Sequence, residues 1–331
     1  MPQREQHPAT ATPRRAVVTG SAGFIGSHLA HALVQAGTTV IGVDRRDPST
    51  DPTAAANLAV LRALPGYHHV TADLLHCAID PLLIDADAVF HLAGIPGVRP
   101  SWGPQFGNYL ASNVLATHRV LEACTRIGVP RLVVASSSSV YGPNGGGASI
   151  ETDRPQPASP YAVTKLAEEQ LCLAYAARPG GPSVVALRYF TVYGPRQRTD
   201  MFTHRALQAA LTGQMLRLYG DGHQRRDFTY IDDVVTATIA AAAVPGAHGA
   251  INVGGGSNAS LLEVINIATS LIGRDIQIQQ DHARSGDVLL TRADPSRARE
   301  VLGWQPRVDL HNGLRSHMQA LAAQAPYTRA A

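Results

Sequence analysis

From residue 15 onward the chain alternates short β-branched runs with longer stretches of helical periodicity. RAVVTG, TTVIGV, YHHVTAD and DAVFHLAG have the length and the Val, Ile and Thr content of buried strands. A helical segment through Leu33 and another near residues 54–64 lie between them. A longer helical stretch at about 105–127 precedes the strand RLVVASS, and one from 160 to about 177 precedes SVVALRYF. This order predicts βαβ units joined into a parallel sheet: an α/β, Rossmann-type doubly wound fold. The two long helices have mixed apolar faces, which makes them candidates for a bundle between two copies, a homodimer.

After Tyr189 the pattern loosens. Gly- and Pro-bearing turns (VYGPRQ, YGDGHQ, NVGGGSN) separate short elements, which predicts a smaller mixed α/β lobe carrying substrate contacts. The expected division is a disordered tail over 1–13, a dinucleotide domain over 14–187 with a returning segment near 228–254, and a substrate lobe over 188–227 and 255–325. The glycines at 145–147 are expected to form a flexible loop beside the active site. The tail is polar and proline-bearing, without the apolar core of a signal peptide, and no run of about 18 apolar residues is present.

Composition narrows the class. The 331 residues, 45% hydrophobic and 16% charged, suffice for a full core and exclude a largely disordered chain. The formal charge of +3 is scattered rather than gathered in a basic run, so no nucleic-acid partner is expected, while an anionic small molecule fits. Cys77, Cys124 and Cys172 are odd in number, far apart and free of any C-x-x-C pattern. That spacing suggests neither a disulfide framework nor a zinc site, so the expectation is a cytoplasmic protein with no metal and no membrane contact.

The first chemistry sits after the first strand. Gly20, Gly23 and Gly26 in TGSAGFIGSHLA follow AVVT and open a helix, with Phe24 and Ile25 in its first turn. Glycines there permit a tight turn and close approach of the backbone to a pyrophosphate, whose charge the exposed amides of the helix start stabilise. Asp44 ends the second strand near the offset of about 20 residues at which an acid takes the adenosine ribose hydroxyls. An acid there repels a 2′-phosphate, favouring NAD over NADP; Arg45 and Arg46 pull the other way, and Asp44 outweighs them because it belongs to the strand end.

The second chemistry is a single lysine. Of 28 basic residues only Lys165 is not arginine, and it stands four residues after Tyr161. On a helix that spacing puts both side chains on one face, where a compact ammonium favours the ionised phenol. Tyr161 then serves as a proton acceptor near neutral pH.

The Gly-x-x-Gly-x-x-Gly spacing, Asp73-Leu74, HLAG, SSSSVYG and YAVTK, taken in this order, resemble the extended short-chain dehydrogenase/reductase family in its sugar-nucleotide epimerase and dehydratase branch. The resemblance covers residues 15–304. It implies a catalytic set of Ser137, Tyr161 and Lys165, with Lys165 also holding the nicotinamide ribose. It further implies that Asp73 and Leu74 border the adenine and that Leu92, Ala93 and Gly94 line the cofactor's path. Ser136, in contrast, is expected only to satisfy backbone groups. The implied reaction is reversible oxidation at C4 of a sugar nucleotide, with Tyr161 removing the hydroxyl proton and NAD taking the hydride.

Within the branch, dehydratases carry an Asp-Glu pair after the serine and decarboxylases a Glu before the valine; this chain has Ser138 and Ser139, which leaves epimerisation. The segment 188–201, RYFTVYGPRQRTDM, resembles the epimerases acting on UDP-glucuronate and implies that Arg198, Thr191, Ser138 and Ser139 bind the sugar carboxylate, an arginine being able to clamp it with two parallel hydrogen bonds. For the nucleotide half the resemblance implies Leu216, Leu218 and Tyr219 beside the uracil, Arg226 (rather than its neighbour Arg225) and Arg284 on the diphosphate, and Asp287 on the uridine ribose. Arg99 is a further candidate for substrate contact. The expected activity is NAD-dependent 4-epimerisation of UDP-glucuronate; a UDP-glucuronate decarboxylase, a neutral UDP-sugar epimerase and a non-catalytic NAD-sensing protein stay open.

Overall fold

The computed structural model describes residues 12–143, 145–282 and 288–324. Most of the tail expected to be disordered, residues 1–11, lies outside these. Seven strands form one parallel sheet: β1 (Arg15–Thr19), β2 (Thr39–Asp44), β3 (Tyr67–Thr71), β4 (Ala88–His91), β5 (Arg131–Ser137), β6 (Ser183–Tyr189) and, later in the chain, Gly249–Val253. Their spatial order places β4 beside β1, so the strand order reverses between these two and leaves a crevice at their carboxyl ends.

Both faces of the sheet are covered, which is why the strands are nearly continuous apolar runs rather than alternating ones. Alternate residues serve opposite faces. Val18 and Val133 join one core with Leu29 and Leu33 of helix Phe24–Gln35, while Val17, Leu132 and Val134 join another with Leu121 and Cys172 of helices Ala116–Ile127 and Pro160–Ala177.

The remaining strands, β7 (Thr191–Tyr193), β8 (Leu216–Tyr219), β9 (Arg225–Tyr230), β11 (Ser257–Ser260) and β12 (Ile278–Asp281), build two small sheets beyond the crevice. The strand Gly249–Val253, β10, then returns to pair with β6. Among the described residues, no helix is long and apolar enough to cross a membrane.

Two expected helices differ in detail. The stretch 105–127 is not one regular helix: Phe106–Tyr109 passes into a widened π segment, Leu110–Leu115, before Ala116–Ile127 resumes. The π segment carries Asn113, whose Oδ1 accepts from the Ile95 amide at 2.7 Å and whose Nδ2 donates to Thr164 at 3.0 Å, tying the crevice loop to the helix that bears Tyr161. The stretch 54–64 divides into helix Pro52–Leu58 and a single 3-10 turn, Leu61–Ala63.

Candidate active site

A cavity of about 860 Å³ runs along the carboxyl ends of the parallel strands and out toward the small sheets. Nine cationic side chains line it against three carboxylates, so the site is built for a polyanion.

At one end the wall is main chain. Gly20 turns with φ of +71°, and a Cβ there would stand 2.8 Å from the Ala93 nitrogen; a Cβ on Gly26 would stand 2.2 Å from the Gly20 carbonyl oxygen, and one on Gly23 2.9 Å from it. No residue other than glycine fits this turn without moving backbone. Gly23 is the N-cap of helix Phe24–Gln35 and offers no side chain to its first amides, which leaves them for an anion. Phe24 and Ile25 line the same wall. The Leu92 and Ala93 amides donate to Thr19 Oγ1, both at 3.2 Å, which fixes the segment leading to Gly94. Asp73 and Leu74 also line this end, with Asp73 Oδ1 accepting from the Leu75 amide at 2.9 Å.

Asp44 is buried, and Arg46 folds back on it. The carboxylate accepts from the Ala22 amide (3.1 Å), from the Arg46 amide (3.0 Å) and from the Arg46 guanidinium at Nε and Nη2 (3.2 Å each). Sequence reasoning treated Arg46 only as a rival charge. Arg45 lines the cavity beside it.

At the centre, Ser159 caps helix Pro160–Ala177 by accepting from the Ala162 amide at 3.1 Å, with Pro160 at the first helical position. This cap sets Tyr161 in the first turn and Lys165 one turn on, both lining the cavity. The Tyr161 ring meets Tyr109 edge-on at 6.2 Å, and the Tyr109 hydroxyl is anchored on the Gly97 and Pro96 carbonyls at 3.1 and 3.2 Å. Ser137 Oγ donates to Ser139 Oγ at 3.0 Å and accepts the Ser139 amide at 3.1 Å. Ser138 and Ser139 share the same wall.

Behind this wall lie groups that sequence reasoning missed. The Lys165 ammonium donates to Glu168 Oε2 at 2.5 Å. Glu169 accepts the Arg188 guanidinium at 2.6 and 3.0 Å and also the Ser136 hydroxyl at 2.6 Å; Ser136 therefore serves a carboxylate, not the backbone as expected. Breaking such a buried pair by removing one partner costs about 3–5 kcal/mol. Two adjacent glutamates after Lys165 were the available signal. His91 bridges Thr19 and Thr117 at 2.8 and 2.9 Å, and burial, aided by the Lys165 charge, lowers it to about 3, so it stays neutral.

The other end is made of side chains from loops and from the small sheets. Thr191 opens β7 and lines the cavity with Arg198. Arg198 makes a two-pronged pair with Asp200, at 2.9 and 2.6 Å, and the guanidinium holds the Asp200 carboxyl below its usual range. Arg99 lies over the Tyr219 ring at 4.4 Å, joining the two lobes. Arg226 faces the cavity, whereas Arg225 is spent on Asn258 and Glu263.

One expectation fails here. Leu216 and Leu218 are buried in the same continuous core as Val18 and Leu29, and the face of β8 that meets the cavity carries Arg217 and Tyr219. Strand alternation forbids one face from presenting Leu216, Leu218 and Tyr219 together. Arg284 and Asp287 lie outside the described residues.

Known proteins resemble the chain along nearly its whole length. It is 45% identical to MoeE5, solved in complex with UDP-glucuronic acid and NAD, with a TM-score of 0.87 over 94% of this chain and 100% of that one. It is 39% identical to the UDP-glucuronic acid 4-epimerase of Bacillus cereus, solved with UDP-glucuronic acid and NAD, with a TM-score of 0.90 over 94% and 100% of the two chains. A relative from Bacillus subtilis (strain 168), the uncharacterized UDP-glucose epimerase YtcB, is 41% identical over 93% of this chain and 98% of its own. The family model for the NAD dependent epimerase/dehydratase family matches residues 16–254. With the glycine turn, the tyrosine–lysine pair and the polycationic crevice in one cavity, the chain belongs to the NAD dependent epimerase/dehydratase family.

Proposed function

We propose that the protein inverts C4 of UDP-glucuronate to give UDP-galacturonate, with NAD as its cofactor. The observation that carries this reading is Arg198. It lines the same cavity as Tyr161 and Lys165, on the wall with Thr191, Ser138 and Ser139, and its planar fork can take a sugar carboxylate with two parallel bonds once Asp200 is displaced from it.

The residues fit the cofactor. The glycine turn leaves room that any Cβ would fill, the helix amides suit the pyrophosphate, and Asp44 suits the adenosine ribose. When bound, NAD supplies the hydride acceptor at C4 and later the hydride donor. Tyr161 takes the C4 hydroxyl proton and gives it back; Lys165 steadies the phenolate and Ser137 orients the hydroxyl. Arg198, Thr191, Ser138 and Ser139 hold the C6 carboxylate, Arg226 takes the diphosphate, and Arg99 makes a further contact with the substrate. Holding the carboxylate matters because the 4-ketone leaves it β to a carbonyl, from which CO2 departs readily. An arginine stabilises the retained charge over neutral CO2, and neither Ser138 nor Ser139 supplies an acid for elimination or decarboxylation.

A neutral UDP-sugar is the second reading, favoured by Asp200, which already neutralises Arg198. Incubation of UDP-glucuronate and of UDP-glucose with the protein and catalytic NAD separates them. Inversion of UDP-glucuronate without CO2 release is expected; turnover of UDP-glucose alone, or release of CO2 with a UDP-pentose, refutes the proposal.

We further propose a homodimer through the two long helices, because Phe106, Leu110, Leu115 and Val163 are large apolar side chains exposed on neighbouring segments; a monomeric mass in solution refutes it. The proposed working unit is a dinucleotide half over 14–187 completed by 228–254 and a substrate half over 188–227 and 255–325. With Cys77, Cys124 and Cys172 all free, a reducing cytoplasm suits it.

A further inference from the structure

Helix Pro160–Ala177 buries two consecutive glutamates, and each has a different kind of cation. Glu169 is locked by Arg188, whose planar fork stays charged and whose Nη1 also donates to Tyr141 Oη at 2.9 Å. Glu168, 1% exposed, is held instead by the Lys165 ammonium at 2.5 Å. The single lysine of the chain is thus shared between a buried carboxylate three residues ahead and the Tyr161 phenol four residues behind. An ammonium paired this closely presents little net charge to a second neighbour.

We propose that Glu168 is a positioning residue that acts through Lys165: its carboxylate screens the ammonium from Tyr161, and protonation of that carboxylate frees the ammonium to favour the phenolate. The proton comes from solvent and turns an ammonium–carboxylate pair into an ammonium beside a neutral acid. No other bond changes. This inference rests on the Tyr161–Lys165 reading given above.

The surroundings single out Glu168 as the group that titrates. Burial, together with the charge of Glu169 and against that of Lys165, raises it to about 7. Five neighbours are displaced away from neutrality. On the same helix the Cys172 thiol is pushed well up by burial; on the adjoining helix Cys124 is raised to about 12, and in the turn after β5 so is Tyr141. On β4, His91 is neutral, and on β6, Arg188 is held above its ordinary range by Glu169. Among the buried groups named here, Glu168 is therefore the one placed near neutrality.

The test compares pH profiles of kcat for the wild-type protein, Glu168→Gln and Tyr161→Phe, all full-length and loaded with NAD. Glutamine keeps the shape and an acceptor for Lys165 but removes the charge. The acid limb of the wild-type profile is expected to be broadened by the Glu168 proton, and that of Glu168→Gln to become a one-proton limb displaced to lower pH by less than about one unit, because wild-type Glu168 is already protonated over the lower part of the limb. A purely structural role would lower kcat evenly and leave the limb in place, and that result overturns the proposal. Should Glu168→Gln fail to fold, tyrosinate absorbance of the wild-type protein, referenced to Tyr161→Phe, still decides. A Tyr161-dependent titration spread by a second coupled proton supports the screening role; a simple one-proton curve overturns it. An active Tyr161→Phe sinks the underlying reading as well, whereas an inactive Tyr161→Phe with an unmoved limb in Glu168→Gln sinks this proposal alone.

Discussion

At the cofactor end of the cavity recognition rests on main chain held by packing: a left-handed Gly20, a Gly26 in contact with its carbonyl, and amides pinned on Thr19. At the substrate end it rests on arginines and a tyrosine from loops and small strands, with Arg198 already engaged by Asp200 and Arg99 by Tyr219. The first kind of wall binds one shape and tolerates no added atom. The second kind is preorganised by internal stand-ins that a ligand displaces, so it can change specificity through single side chains while the chemistry between the two ends stays fixed.

The comparison breaks most sharply at Gly26. Gly26→Ala places a methyl 2.2 Å from a backbone oxygen, so NAD affinity is expected to fall about 100-fold, the upper end of an overpacking cost; calorimetric titration with NAD reads this, and near-normal affinity would mean that the cradle gives more easily than its geometry states. A smaller effect is expected at the other end. Arg198→Ala should lower kcat/KM for UDP-glucuronate by about 10-fold, the value of one charge-assisted pair, while leaving that for UDP-glucose within about twofold; equal losses for both sugars would take the residue off the carboxylate. The least effect on catalysis is expected at Arg225→Ala. Its exposed pair with Glu263 is worth at most about 1 kcal/mol and its two bonds to Asn258 about 1 kcal/mol each, a loss of stability measured by urea unfolding, while its kinetics should match the wild type, in contrast to the neighbouring Arg226.

The same division explains what could be read from the sequence. The sheet and its glycine turn were legible because strand runs, glycine spacing and a strand-end acid are local patterns that the fold must obey. Tyr161 and Lys165 were legible through helix spacing. The substrate end was harder, since its contacts are made by loops and small strands that meet only in three dimensions. Arg46 was weighed as a free charge and is instead forked onto Asp44. Leu216 and Leu218 were assigned to the uracil alongside Tyr219, although period-two alternation alone separates them from it and points to Arg217. The glutamates behind Lys165 drew no reading from the sequence, because a polar residue's burial depends on its partners, and that of Glu169 is Arg188, distant in sequence.

The return of β10 to the outer edge of β6 has a bearing on synthesis. Residues 249–253 supply the neighbour of 185–189, yet all of β7, β8 and β9 is translated in between. A nascent chain that has emerged only as far as Tyr189 therefore carries an open, apolar strand edge, a template for mispairing. Completing the nucleotide-binding sheet on the ribosome must wait until much of the opposite lobe has left the exit tunnel, which ties the two halves into one folding event.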